Sequence, residues 1–241
     1  LDNRIYNYPL KDLLNIIRNY KKGIVICSST IDQVHNYFVD YRYVIFTKYV
    51  KTIKGKFNNI PIIICGGQGT VRPDIVFNDC NPDYILKGEF DIQLANVIRN
   101  MDKNVPIENL PNIIYKEKKK IIKTREDLNE QHPVEWCKYV PNYNLIHLEC
   151  YFGYRYYDNM PVRKLHWSVV QASRGCPFNC AFCYNFFAKS VRFRKIDSVI
   201  AELKEIQERG IEEIFFLDQN FILDKKYAQN LCKAMINTKI R

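Results

Sequence analysis

Apolar positions along the chain alternate between two spacings. Leu10, Leu13, Leu14, Ile16 and Ile17 recur at the helical period within residues 8–20. Gly23 then introduces Ile24-Val25-Ile26-Cys27, an unbroken apolar run that reads as a buried strand ending in Ser28-Ser29-Thr30. A second helical pattern covers residues 31–54. Pro61-Ile62-Ile63-Ile64-Cys65 is the next strand, and it ends in Gly66-Gly67-Gln68-Gly69-Thr70. Asp83-Tyr84-Ile85-Leu86 is a third, ending in Lys87-Gly88-Glu89 ahead of a helix from Asp91 to Met101. Strands alternating with helices predict an α/β fold, a Rossmann-like parallel sheet covered on both faces. Such sheets bind ligands beyond the carboxyl ends of their strands, where all three polar turns fall.

The period then changes. Ile113 to Thr124 reads as a small hairpin around a Lys-rich turn. Residues 125–165 hold no sustained period and are interrupted by Pro133, Pro141 and Pro161. Their many aromatics (Trp136, Tyr139, Tyr143, Tyr151 among them) predict an ordered linker across two domains. Trp167 to Val170 is another apolar run. Ile196, Val199, Ile200, Leu203 and Ile206 share one face of a helix over 196–209, with Asp197 as its expected cap and Gly210 as its stop. A strand from Glu212 to Leu217 ends in Asp218-Gln219-Asn220, and a helix from Asp224 to Ile236 follows. This order is the opening of a (β/α) barrel, with its chemistry expected at strand carboxyl ends. The domains are therefore drawn at 1–110, 111–165 for hairpin and linker, and 166–241.

Composition narrows the class without deciding it. Of 241 residues, 47% are hydrophobic, ample for packed cores. No apolar run is long enough to span a membrane and no export signal is visible, so a cytoplasmic protein is expected. The net charge is +10, from 36 basic and 26 acidic residues. The basic residues are dispersed through the chain, which argues against a nucleic-acid surface. The chain opens on Leu1 rather than Met and stops at Arg241 soon after a helical segment, so it is expected to be a fragment lacking its first strands and most of the barrel.

Nine cysteines are present. Cys27, Cys65, Cys80 and Cys232 lie in apolar surroundings and are expected to be buried structural thiols; Cys137 and Cys150 carry no assignment. The remaining three fall in Ala172-Ser173-Arg174-Gly175-Cys176-Pro177-Phe178-Asn179-Cys180-Ala181-Phe182-Cys183-Tyr184, spaced C-x3-C-x2-C directly after an apolar run. Thiolates are soft ligands that favour iron–sulfur clusters, zinc or copper. A four-iron cluster normally takes four cysteines, so three would leave one iron open for a further ligand. Structural zinc would need a fourth donor, for which Cys150, His147 and His166 are at hand.

The segment S-R-G-C-P-F-N-C-A-F-C-Y resembles the cluster loop of the radical S-adenosylmethionine (SAM) enzymes. The resemblance implies that Cys176, Cys180 and Cys183 bind a [4Fe-4S] cluster and that SAM chelates the open iron, with Phe182 the aromatic before the last cysteine. One-electron cleavage of SAM would then produce a 5′-deoxyadenosyl radical, the electron coming from a reductase, flavodoxin or ferredoxin. Where the family often has D-D-N-F this chain has D-Q-N-F, and the carry-over sets Asp218 or Asn220 against SAM. The turns S-S-T, C-G-G-Q-G-T and K-G-E-F resemble the cobalamin-binding domain that precedes many radical SAM barrels, in the family of the anaerobic magnesium-protoporphyrin ester cyclase and the hopanoid methylases. That resemblance implies a corrinoid lined by Ser28, Ser29, Thr30, Gly66, Gly67, Gly88 and Glu89. Gln68 stands where a histidine is usual after the paired glycines, and no D-x-H-x-x-G motif is present. The implied reaction is cobalamin-dependent methylation of an unreactive carbon in a small-molecule or peptide substrate. A radical cyclase, isomerase or oxidoreductase on a degenerate cobalamin domain stays open, as does a non-catalytic iron–sulfur or zinc module that binds RNA.

Overall fold

The computed structural model describes residues 9–19, 25–28, 41–118, 120–131, 133–151, 163–181, 183 and 187–238. Ser29, Thr30, residues 31–40 of the second helical pattern, and Phe182 lie outside them. The chain divides into two compact units, one drawn from Tyr8–Pro133 with Cys180–Phe187, the other including Val134–Asn179 and Ala188–Arg241.

In the first unit, α1 (Leu10–Asn19), β1 (Val25–Ser28), α2 (Tyr41–Lys56), β2 (Ile62–Cys65), α3 (Gly67–Val71), α4 (Pro73–Cys80), β3 (Tyr84–Leu86) and α5 (Phe90–Asp102) follow in order. The hairpin β4 (Ile113–Glu117) and β5 (Lys120–Lys123) and the short α6 (Leu128–Gln131) complete it. The five strands form one sheet in chain order. β1, β2 and β3 are parallel, with Val25 opposite Ile62 and Ile63 opposite Tyr84. Alternation along β2 explains the layering. Ile62 and Ile64 point into a core with Leu14, Val50, Phe77 and Ile85, while Ile63 and Cys65 point into a second with Leu86, Val97 and Ile107. A strand covered on both faces needs an apolar residue at every position, which is why Ile-Ile-Ile-Cys shows no alternation.

Two features depart from the expected parallel sheet. Between β2 and β3 the chain forms α3 and α4 where only a turn was read; Pro73 begins α4, and Asn81 at φ 46° ends it in the left-handed region. The hairpin is also no part of a linker. β4 pairs antiparallel with β3, Leu86 opposite Ile113, so the sheet is mixed and runs on to Lys123. Residues 103–112 carry the chain back to the carboxyl end of β3 before it pairs, with Ile107 packed on the core as it returns.

The second unit is built on β6 (Trp167–Val170) and β9 (Glu213–Phe216), paired in parallel. Between them lie the two-residue strands β7 (Ser173–Arg174) and β8 (Arg192–Phe193), paired antiparallel, then α7 (Ile196–Glu208); α8 (Lys225–Asn237) follows β9. Val199, Ile200, Leu203 and Ile206 of α7 pack with Val170, Ala172, Ile211 and Leu231. Tyr143 and Leu148, from the stretch read as linker, belong to this same core. Lys195 occupies the cap of α7 with no side-chain bond, so Asp197 lies inside the first turn rather than capping it. Gly210 at φ 91° ends α7 as expected, and Asp224 caps α8 by accepting from Tyr227 N–H at 2.9 Å. Cys65 and Cys80 are buried, but Cys232 is exposed, one position round α8 from the buried Leu231. Among the described residues no helix is long and apolar enough to cross a membrane.

Candidate functional site

From Val170 to Gly175 the chain is held at five residues by the exit of β9. Leu217 N–H donates to Val170 O at 2.9 Å. Gln171 Nε2 donates to Leu217 O at 3.2 Å, and Ala172 N–H to Asp218 Oδ2 at 3.1 Å. Ser173 Oγ donates to the other Asp218 oxygen, and Gly175 N–H to Gln219 Oε1 at 3.1 Å. Burial raises the Asp218 carboxyl above the ordinary range, opposed by these hydrogen bonds and by the charge of Arg194. Both Asp218 oxygens are thus occupied in framing the loop. Asn220 closes the next turn, its carbonyl accepting from Leu223 N–H at 3.2 Å.

The opposite side of the same stretch rests on residues 188–194. Cys176 N–H donates to Ala188 O at 3.1 Å and Arg194 N–H to Ala172 O at 2.9 Å. Gly175, at φ +101°, is wedged so closely that an added Cβ would stand 2.3 Å from Ser190 O and 2.9 Å from Ala188 O. Only glycine satisfies both constraints. Beneath this frame lies a buried charge network. Arg194 pairs with Glu202, and Tyr143 Oη donates to Glu202 Oε1 at 2.7 Å. Arg194 also donates to Gln171 O at 3.1 Å. Tyr227 Oη closes the network by donating to Arg194 O at 2.8 Å, and burial pushes its phenol up to about 12.

Beyond Cys176 the loop turns outward. Cys176 is half-buried, whereas Cys180 and Cys183 are exposed, and Cys183 N–H donates to Cys180 O at 3.0 Å. Lys189 Nζ holds Phe178 O at 2.6 Å. Cys65, Cys80, Cys137, Cys150, Cys176, Cys180, Cys183 and Cys232 form no disulfide. Among the described residues no three His, Cys, Asp or Glu side chains stand together as a metal site. His147 is paired instead with Glu149 at 3.3 Å.

At the carboxyl end of the first sheet, Ser28 is still paired within β1, opposite Cys65. Gly66 (φ 95°) and Gly88 (φ 93°) take the left-handed backbone their turns require. Thr70 ties the two turns together: its hydroxyl donates to Gly66 O at 2.9 Å and accepts from Gly88 N–H at 3.0 Å. Gly67 is buried, as is Glu89 ahead of α5. Gln93 Nε2 donates to Lys87 O at 2.9 Å, which leaves its buried Oε1 with no hydrogen-bond partner. Gly66, Gly67, Gly88 and Glu89 therefore share one end of the sheet.

Sequence reading missed Gln219, Thr70 and the role of Gly175. Gly175 alone carried a local signal, its place next to Cys176; the other two act through long-range contacts.

Residues 170–241 match the model of the radical SAM superfamily. Over 232 residues it is 27% identical to an uncharacterized methyltransferase of Pyrococcus horikoshii, covering 95% of this chain and 46% of that one. In fold it is similar to the radical SAM methyltransferase TsrM of Kitasatospora setae, solved with tryptophan substrate and a SAM analogue. The TM-score is 0.72 at 14% identity, over 99% of this chain and 45% of that one. The cobalamin-dependent SAM radical enzyme OxsB, solved with aqua-cobalamin bound, gives a TM-score of 0.70 at 15% identity over 98% of this chain and 32% of that one. The chain thus spans less than half the length of each of these relatives.

Proposed function

We propose that the chain is the cofactor-binding part of a radical SAM methyltransferase that uses cobalamin to methylate an unreactive carbon. The observation that carries this reading is the loop of Cys176, Cys180 and Cys183, framed at its first cysteine by the exit of β9 within a radical SAM domain. Its donor set fits a [4Fe-4S] cluster: three soft thiols in eight residues, two of them exposed, with one iron left for SAM. When bound, the cluster, SAM and cobalamin supply the radical chemistry and the methyl carrier.

The protein's own part is positional. Asp218 and Gln219 hold the approach to Cys176, while the resemblance assigns Phe182 and Asn220 to SAM. On the first unit, Gly66, Gly67, Gly88 and Glu89, with Ser28, Ser29 and Thr30, would receive the corrinoid. Two glycines with positive φ shape the turns there, and the orphaned Gln93 Oε1 is an acceptor for a ligand bearing amide donors. The electron would come from an external reductase, flavodoxin or ferredoxin in a reducing cytoplasm.

The test is anaerobic reconstitution of the full-length protein with iron, sulfide and hydroxocobalamin, then desalting. About four irons per chain with retained corrinoid is the expected result. Iron without corrinoid would favour a radical cyclase, isomerase or oxidoreductase. A Cys176→Ala/Cys180→Ala/Cys183→Ala variant that kept its iron would overturn the assignment of the loop.

A further inference from the structure

We propose that Gln219 is a positioning residue for the metal loop, its side-chain carbonyl fixing the Gly175 peptide and with it the direction in which Cys176 enters the site. The inference rests on the reading of Cys176 as a cluster ligand. Leu217, Asp218 and Gln219 meet Val170, Ala172, Ser173 and Gly175 in step along the two segments. The first contact is backbone to backbone. By the third the strands have diverged, and only a side chain as long as glutamine's spans the gap, at 3.1 Å.

The geometry of Gly175 makes that contact decisive. Its N–H points to Gln219 Oε1, while the next amide, of Cys176, points to Ala188 O at 3.1 Å. The two peptide planes flanking Gly175 are therefore anchored on different partners, and these anchors set its φ of +101°. Ser190 O and Ala188 O fill the space beside its Cα, so the peptide cannot relax to that side. Removing the Gln219 acceptor frees the first plane and lets the chain swing before Cys176. Glutamine also accepts without carrying charge. A carboxylate at the same atom would keep the hydrogen bond but add a negative charge beside a cluster held by three thiolates, and net charge is one of the terms that sets a cluster's reduction potential.

These two properties separate Gln219→Leu from Gln219→Glu in the reconstituted full-length protein. For Gln219→Leu, amide exchange at Gly175 in the metal-free protein should quicken while that of Ala172, held by Asp218, stays as in the wild type. Its cluster should lose iron to a chelator roughly five- to tenfold faster, the equivalent of one hydrogen bond, and show an altered EPR signal when reduced. Gln219→Glu should restore the slow iron loss and shift the midpoint potential to more negative values. Wild-type iron loss and Gly175 exchange in Gln219→Leu would overturn the inference, as would a Glu variant that behaves like the Leu variant. A wild-type protein that takes up no iron would overturn the reading of the loop, and this inference with it.

Discussion

Gly175→Ala tests whether the frame around Cys176 is as tight as the structure makes it. Gly175 and Gly210 both have left-handed backbones, at φ +101° and +91°, and both stand beside elements of the second unit. Around Gly210 an added Cβ would meet nothing within 4 Å, so alanine there costs only the strain of its conformation, roughly 1–2 kcal/mol. At Gly175 the same strain is joined by a Cβ 2.3 Å from Ser190 O, a backbone atom that cannot swing aside. Residues 188–190 must move, which loosens the bond from Cys176 N–H to Ala188 O; overpacking of this kind adds about 1–3 kcal/mol and the lost bond about 1 kcal/mol. Gly175→Ala should therefore destabilise the second unit by roughly 3–6 kcal/mol against about 1–2 for Gly210→Ala. Urea unfolding of both variants, monitored by Trp167 fluorescence, measures the difference. Equal midpoints for the two would refute the claim that the wall of the loop is rigid.

Glu202→Gln leaves Arg194 charged and buried without its partner carboxylate and should cost about 3–5 kcal/mol by the same urea assay. Thr70→Val keeps the shape but strands the buried Gly88 N–H, a loss of about 1–3 kcal/mol in the first unit, and should lower corrinoid retention after desalting. Because burial raises the Asp218 pKa, the folded state holds that proton more tightly than the unfolded state does. Its contribution to stability is whole below the ordinary carboxylate pKa of about 4 and is lost as pH rises through the folded value. Asp218→Asn should flatten that part of the urea midpoint plotted against pH; an unchanged slope would show that another group titrates. In the metal-free protein an alkylating reagent should reach Cys180 and Cys183 before Cys176, and Cys80 last, since it is buried and its thiol is pushed up to about 11. Mass spectrometry of the labelled peptides gives the order, and cluster loading should protect the first three.

The parts of the fold that were legible are those that local physics decides. Ile62–Cys65 had to be a strand covered on both faces because it contains no polar residue to offer to water. The helix of Ile196–Glu208 was set by its apolar face. What could not be read depends on partners distant in sequence. The attachment of β4 to β3 follows from the path of residues 103–112, and nothing in Ile113–Glu117 says which way it will pair. Cys232 has apolar neighbours in sequence, but a helix turns each residue about 100° from the last, so Leu231 is buried and Cys232 is not. The cysteine loop was legible from its spacing. The frame that holds it was not, since the resemblance set Asp218 against SAM and gave Gln219 no role, and their contacts with residues 172–175 appear only once β9 is laid beside β6.

That division has a physical counterpart within the loop. The scaffold spends its hydrogen bonds on residues 170–176, from strands already in register, and makes the first cysteine's backbone part of the fold. Cys180 and Cys183 lie beyond it, exposed. On this argument, changes to the frame should alter the geometry and retention of the cluster, and changes to Cys180 or Cys183 its formation.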